Sequence, residues 1–262
     1  TDRRWDELSQ AIEALQTQTL EPLEIVVVVD HEPDLLERVA AEIKGVLALP
    51  SAGPPGLAGA RNTGARAARG SVVAFIDDDA VPDHEWLELL AQPYSDPSVV
   101  AVGGAAAPNW STSRPRWFPP EFDWVVGCTY RGLPELRRAV RNLIGVNMSV
   151  RREVFDELEF FPGLGHAGGR SLGGEETDFC IRLAEARPAS QIVYEPRARV
   201  RHHVPPERAR FGYFLRRCYT EGLSKGVLSR RVGSRAGLAS EKAYVRKILP
   251  RAARDAFGDI VA

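Results

Sequence analysis

The stretch SVVAFIDDDAVPDHEWLELL, Ser71 to Leu90, decides how this chain is read. Val72 to Ile76 is a β-branched and aromatic run suited to a buried strand. It runs straight into Asp77, Asp78 and Asp79, whose like charges repel and whose strand propensity is poor. Carboxylates at the C-terminal end of a strand in an open α/β sheet stand where such sheets bind ligands. They are hard oxygen donors matched to Mg²⁺ or Mn²⁺, and a divalent cation relieves their repulsion. A solvated Asp-rich turn is the bland alternative, and three aspartates directly after an apolar strand weigh against it.

Outward from this stretch, helix and strand patterns alternate. Upstream, Trp5, Leu8, Ile12 and Leu15 recur at helical spacing before the β-branched run EIVVVVD. A helix from Asp34 to Ile43, a strand at GVLAL and a Gly/Pro-rich turn then lead to a third helix reaching Arg69. Downstream, Pro82 is expected to open a helix, and SVVAVGG reads as a strand. Residues 103–141 lose the pattern and carry Trp110, Trp117, Phe118, Phe122, Trp124 and Tyr130, aromatics that either pack a loop or receive an acceptor. NLIGVNMSV returns as a strand, RREVF as a short helix, and a glycine-rich loop enters the helix EETDFCIRLAEA. Two short strands, QIVYE and RVRHHV, precede a long helix from Glu207 to Ser229 and a last helix interrupted at Pro250. The alternation implies an α/β layered fold.

The 262 residues, 44% of them apolar, suffice for a substantial core. A net charge of −1 hides an asymmetry: from Arg197 to Arg254 sixteen Lys and Arg face only Glu207, Glu221 and Glu241. Such a basic segment suits an anionic membrane surface or an acidic substrate, or is simply a solvated helical face. No nucleic-acid motif accompanies it, so nucleic acid is not an expected partner. Cys128, Cys180 and Cys218 lack metal or disulfide spacing, which fits reduced thiols and a cytoplasmic setting. No apolar run is long enough to span a bilayer, and TDRRWDELSQ lacks a signal peptide's apolar segment. The expectation is a soluble or peripheral protein.

Three further motifs carry chemistry. GLAGARNTGARAARG puts Arg61 and Asn62 near a helix start behind glycines, suited to phosphate or nucleotide contact, without the dinucleotide fingerprint. GGEETDFCIRL sets Glu175, Glu176 and Asp178 on the first turn of a helix, which serves either helix electrostatics or a general base. In RVRHHV, period-two alternation puts Val200, His202 and Val204 on one apolar face, so His202 is a satisfied core histidine or a metal ligand, and His203 lies at the surface.

Taken in order, EIVVVVDHEPD, GLAGARNTGARAARGSVVAFIDDDAVPDHEWL, NLIGVNMSVRREVF, GGEETDFCIRL and RHHVPPER resemble family 2 of the nucleotide-sugar glycosyltransferases, over roughly residues 1–210. The resemblance implies a GT-A fold: a mixed, mostly parallel central sheet flanked by helices, with a C-terminal helical segment. Residues 1–205 would form the transferase domain, with 1–102 binding the nucleotide and 103–205 the acceptor, and 206–262 would be a basic helical extension. It implies inverting transfer from a UDP-, GDP- or dTDP-linked sugar to a glycan, lipid-linked or small-molecule acceptor, with Mn²⁺ or Mg²⁺ as cofactor. Asp30 then holds the nucleobase, with Arg61 close to the same nucleotide. Asp77 and Asp79 resemble the D-x-D motif, Asp79 as metal ligand and Asp77 or Asp78 nearer the ribose, with His202 as an added ligand. Glu176 falls at the position of the general base, where the family commonly has Asp, which leaves Glu175 and Asp178 as alternatives.

The family also opens with a strand that is central in the sheet, and this sequence begins after it, at TDRRW. The expectation is that upstream residues or another segment fill that place, because neighbouring strands would otherwise lack backbone partners. Two rivals remain. FIDDDAV also fits a phosphatase of the haloacid dehalogenase type, with Asp77 as nucleophile and Asp79 as acid or base. The other rival is a non-catalytic module that binds nucleotide or glycan.

Overall fold

The computed structural model describes residues 4–161, 165–167, 170–232 and 244–250. In chain order the elements are α1 (Trp5–Gln16), β1 (Val26–Val29), α2 (Pro33–Glu42), β2 (Leu47–Pro50), α3 (Leu57–Ala67), β3 (Val72–Ile76), β4 (Ala80–Pro82) and α4 (Trp86–Ala91). They continue as β5 (Val99–Trp110), β6 (Arg138–Ala139), β7 (Asn147–Arg151), β8 (Gly165–Ala167), β9 (Arg170–Leu172), α5 (Glu175–Ala186), β10 (Gln191–Val204) and α6 (Phe211–Val232). The main sheet has the order β3-β7-β5-β10-β4, with β6 added on β10. It is mixed: β5 and β10 run parallel, whereas the pairings of β3 with β7, β7 with β5, and β10 with β4 and β6 are antiparallel. β1 and β2 form a separate parallel pair.

The cores follow from the apolar faces. Phe75, Met148 and Val150 of the sheet meet Phe179 and Leu183 of α5 and Ala65 of α3. On another face Trp86 and Leu90 of α4 pack with Val102, Val193 and Val200. Most aromatics of residues 103–141 serve packing: Trp110, Phe118, Phe122 and Trp124 cluster with Tyr213 and Phe214 of α6. Trp117 stays partly exposed against Phe211, 5.2 Å between ring centroids.

Several boundaries differ from the sequence reading. Pro82 closes β4 rather than opening a helix, because Ala80–Pro82 pairs with Val200–His202 of β10, and the helix starts at Trp86. β5 runs through Gly103 and Gly104 to Trp110: a Cβ on Gly104 would lie 1.9 Å from the Ala198 carbonyl oxygen, so these glycines permit close strand approach instead of ending the strand. The two strands expected at 191–204 are one, with a register shift between Glu195 and Arg199 that absorbs Pro196. The long helix begins at Phe211, after a 3₁₀ turn at Pro206–Ala209, and the segment beyond Pro250 lies outside the described residues.

Between β1 and β3 lies a slot. Among the described residues β1 pairs only with β2, and β3 only with β7, and their remaining edges line one continuous cavity of about 2910 Å³. Leu47 N–H donates to the Ile25 carbonyl and Ser51 N–H to the Val29 carbonyl, so the alternate residues Val26 and Val28 direct their backbone groups to the other edge. By the same alternation, Arg152 N–H on the Ser71 carbonyl leaves Val72, Ala74 and Ile76 directed away from β7. Hydrogen exchange tests whether the slot stands open: the Val28 and Ala74 amides are expected to exchange much faster than those of Phe75 and Val102. Equal protection would show that another strand fills it.

Candidate active site

β3 delivers the three aspartates to the cavity, and β10 brings His202 beside them. The alternation read from the sequence holds: Val200, His202 and Val204 are buried while Arg199 and Arg201 face out. His203 N–H donates to the Asp79 carbonyl at 2.8 Å, which fixes the two segments in register. The His203 ring is half-buried between Ser111 and Glu7. His202 Nε2 lies 3.1 Å from Asp79 Oδ1, and its Nδ1 lies 3.6 Å from Cys128 Sγ. Gly127 has φ +82, and a Cβ there would come within 2.9 Å of the imidazole, so glycine makes room for this ring.

One atom each of Asp77, Asp79 and His202 lie within 4.8 Å of one another. Two carboxylate oxygens and an imidazole nitrogen are a donor set that fits Mn²⁺ or Mg²⁺ with positions left for a ligand's oxygens. Arg4 Nη1 sits over the neighbouring oxygens, 2.6 Å from Asp78 Oδ1 and 3.1 Å from Asp79 Oδ2. Burial pushes the Asp79 carboxyl up, but the His202 hydrogen bond and charge, then Arg4, outweigh it and hold it at about 2. For Asp78 burial wins over Arg4, aided by its two neighbours, and its carboxyl is raised.

A second group lies at the start of α5. Buried Arg61, on α3, reaches three carboxylates: Glu176 Oε1 at 2.6 Å from Nη1, Asp77 Oδ1 at 3.4 Å from Nη2, and Glu175 Oε2 at 3.8 Å from Nη1. It thereby ties the strand that ends in the aspartates to the helix carrying the glutamates. Gly145 permits this, since a Cβ there would fall 1.9 Å from Glu176 Oε1 and 2.5 Å from Arg61 Nη2. Glu175 and Glu176 both line the cavity. Asp178 is fully buried and points away, its Oδ2 accepting from Arg182 Nε at 2.8 Å.

Asp30 stands apart at the end of β1. Its Oδ2 accepts from Gly56 N–H at 2.8 Å, and its Oδ1 lies 2.8 Å from Nδ1 of His31, a residue in the left-handed region at φ 57. Arg4, Gly127 and Gly145 escaped the sequence reading. Only Gly145, inside an apolar strand-like run, left a trace there as a site of close approach.

The family profile described as Glycosyl transferase family 2 matches residues 2–159. The chain belongs to glycosyltransferase family 2. This family-2 chain is 36% identical over 230 residues to the glucosyl-dolichyl phosphate glucuronosyltransferase of Haloferax volcanii, covering 86% of this chain and 73% of that protein. It is 28% identical over 172 residues to the succinoglycan biosynthesis protein ExoM of Rhizobium meliloti, covering 64% and 52%. The crystal structure of GalNAc-T7 with UDP, GalNAc and Mn²⁺ superposes with a TM-score of 0.59 at 19% identity, over 87% of this chain and 48% of that one, which shows a shared GT-A fold. The chain thus spans about half the length of ExoM and of the GalNAc-T7 chain. The family match favours the transferase over the phosphatase reading.

Glu175 gives the site a pH signature. Burial, reinforced by Glu176 and opposed by Arg61, pushes its carboxyl from an ordinary 4.5 up to about 8. Below pH 4.5 folded and unfolded chains are both protonated there. As pH rises toward about 8 only the unfolded chain releases the proton, so stability falls across that window and levels off above it. Glu175→Gln is expected to gain thermal stability relative to the parent over the same window, as read by melting temperatures at pH 4 to 9.

Proposed function

We propose that the chain is an inverting glycosyltransferase that moves a sugar from a nucleotide-sugar donor to an acceptor hydroxyl. The observation that carries this reading is the Arg61 bridge, one buried guanidinium that ties Glu176 at the start of α5 to Asp77 of the Asp77, Asp79 and His202 set. Donor diphosphate belongs on the aspartate side, with Asp77 or Asp78 toward the ribose and Asp30 toward the nucleobase. Asp79 and His202, with Asp77, would hold Mn²⁺ or Mg²⁺, which when bound supplies Lewis-acid stabilisation of the departing diphosphate. GalNAc-T7 was crystallised with ligands of these classes.

Glu176 is the assigned general base. It takes the proton from the acceptor hydroxyl as that oxygen bonds to the anomeric carbon, and the nucleotide leaves from the opposite face with the bonding electron pair. Glu175 is held mainly protonated near neutral pH, and Asp178 is fully buried outside the cavity lining that includes Glu176, so neither is as well suited to receive a proton. Arg61 is a positioning residue: its 2.6 Å contact fixes the Glu176 carboxylate while its other nitrogen reaches Asp77. The name of the Haloferax relative points to a lipid-linked sugar as acceptor, and with it to a peripheral enzyme at the cytoplasmic face of a membrane.

Glu176→Gln tests the assignment with UDP-, GDP- and dTDP-sugars as donors. Nucleotide affinity is expected to stay within about twofold, while transfer falls roughly 100- to 10,000-fold. Undiminished transfer would remove Glu176 from the role. Nucleotide binding with no turnover of any donor by the parent protein would favour the non-catalytic module.

A further inference from the structure

α6 carries an apolar face that no other part of the described chain covers. Its exposed positions recur every three or four residues, so they form one side of the helix. Leu215, Tyr219, Leu223 and Val227 occupy that side at 41–70% exposure, joined at the N-terminal end by Phe211. Between them lie Gly222 and Gly226, with open space where a side chain would project. The opposite side is apolar as well: Tyr213, Phe214 and Cys218 pack on the aromatic cluster. A helix apolar on both sides is ordinarily buried on both, so the outer one is suited to a partner.

Charge selects the partner. Arg216 and Arg230 stand on the exposed side, and the helix's single carboxylate, Glu221, lies between Arg217 and Lys225 at 3.4 Å from each. Among the described residues the surface offered by the helix is therefore apolar with cations at its margins and no unpaired acid. Two copies packed antiparallel about Leu223 would set Arg216 of each against Arg230 of the other, like charge on like, which disfavours a symmetric pair. The face instead matches a bilayer with anionic head groups, which accepts apolar side chains at its boundary and attracts Arg and Lys. The helix is about 33 Å long and meets no criterion for crossing a membrane, so it would lie along the surface.

We infer that α6 docks this protein on an anionic lipid surface through Leu215, Tyr219, Leu223 and Val227, with Arg216 and Arg230 on the head groups. The helix borders the cavity containing the glutamates, with Tyr219, Leu223, Val227, Arg216 and Arg230 at its rim, and Arg217 and Glu221 adjoin Gly173, two residues before Glu175. Docking thus brings that cavity to the lipid surface, a consequence that rests on the transferase reading, whereas the docking itself does not.

Sedimentation with vesicles of phosphatidylcholine alone and with 30% phosphatidylglycerol (about 3 in 10 lipids) tests the inference. The parent protein is expected to partition at least tenfold better onto the anionic vesicles, and Leu215→Asp/Leu223→Asp to lose at least tenfold of that binding. Both positions are exposed, so circular dichroism and melting temperature should be unchanged in the variant. Arg216→Gln/Arg230→Gln should lose several-fold on the anionic vesicles only. Binding that survives the double aspartate substitution, or no binding by the folded parent, would overturn the inference. So would a parent dimer that the same substitution converts to monomer, which would assign the face to a second copy.

Discussion

Like-charge repulsion is the constraint around which this structure is arranged. Asp77, Asp78, Asp79, Glu175 and Glu176 all line one cavity, and they come from two elements far apart in sequence. Three basic side chains hold them there: Arg4 on Asp78 and Asp79, His202 on Asp79, and Arg61 across Asp77 and the glutamates. The balance is local and incomplete, since Glu175 and Asp78 remain raised while Asp79 is held low. An excess of carboxylate against limited basic charge is the condition under which a divalent cation is bound.

The rest of the fold serves this convergence. β10 pairs with both β5 and β4, so a single strand sets His202 against the segment that follows the aspartates. α3 carries Arg61 under the site, and small residues at Gly127 and Gly145 keep its neighbours at contact distance. The slot between β1 and β3 opens into the same cavity, so a strand seated there would end beside Arg4, Asp30 and Asp77. Filling it would tie the β1–β2 pair, which carries Asp30, to the sheet that carries the aspartates.

Much of this was legible because it is written in local pattern. The β-branched runs at Val26–Val29 and Val72–Ile76, the aspartates behind the second run and the glutamates at a helix start are all local features, and α/β alternation follows from them. Period two alone put His202 on the inner face. What escaped depends on distant partners. Pro82 reads as a helix opener until β10 supplies a strand beside it, and Gly103-Gly104 reads as a stop until the Ala198 backbone is seen to pass over it. Arg4 has no signal in sequence because its role exists only once α1 is placed over the aspartates. Nor could composition distinguish a basic extension from a helix whose outer side is apolar, since the charges of residues 197–254 hide the spacing of Leu215, Tyr219, Leu223 and Val227.

Calorimetric titration of the folded protein with UDP, GDP and dTDP, each with Mn²⁺ and again with chelator, tests the proposed metal–diphosphate site most directly. Binding of one nucleotide with Mn²⁺, lost with chelator and weakened at least tenfold by Asp79→Ala, is the expected result. Nucleotide binding that is indifferent to both metal and Asp79 would contradict the assignment of the Asp77, Asp79 and His202 set.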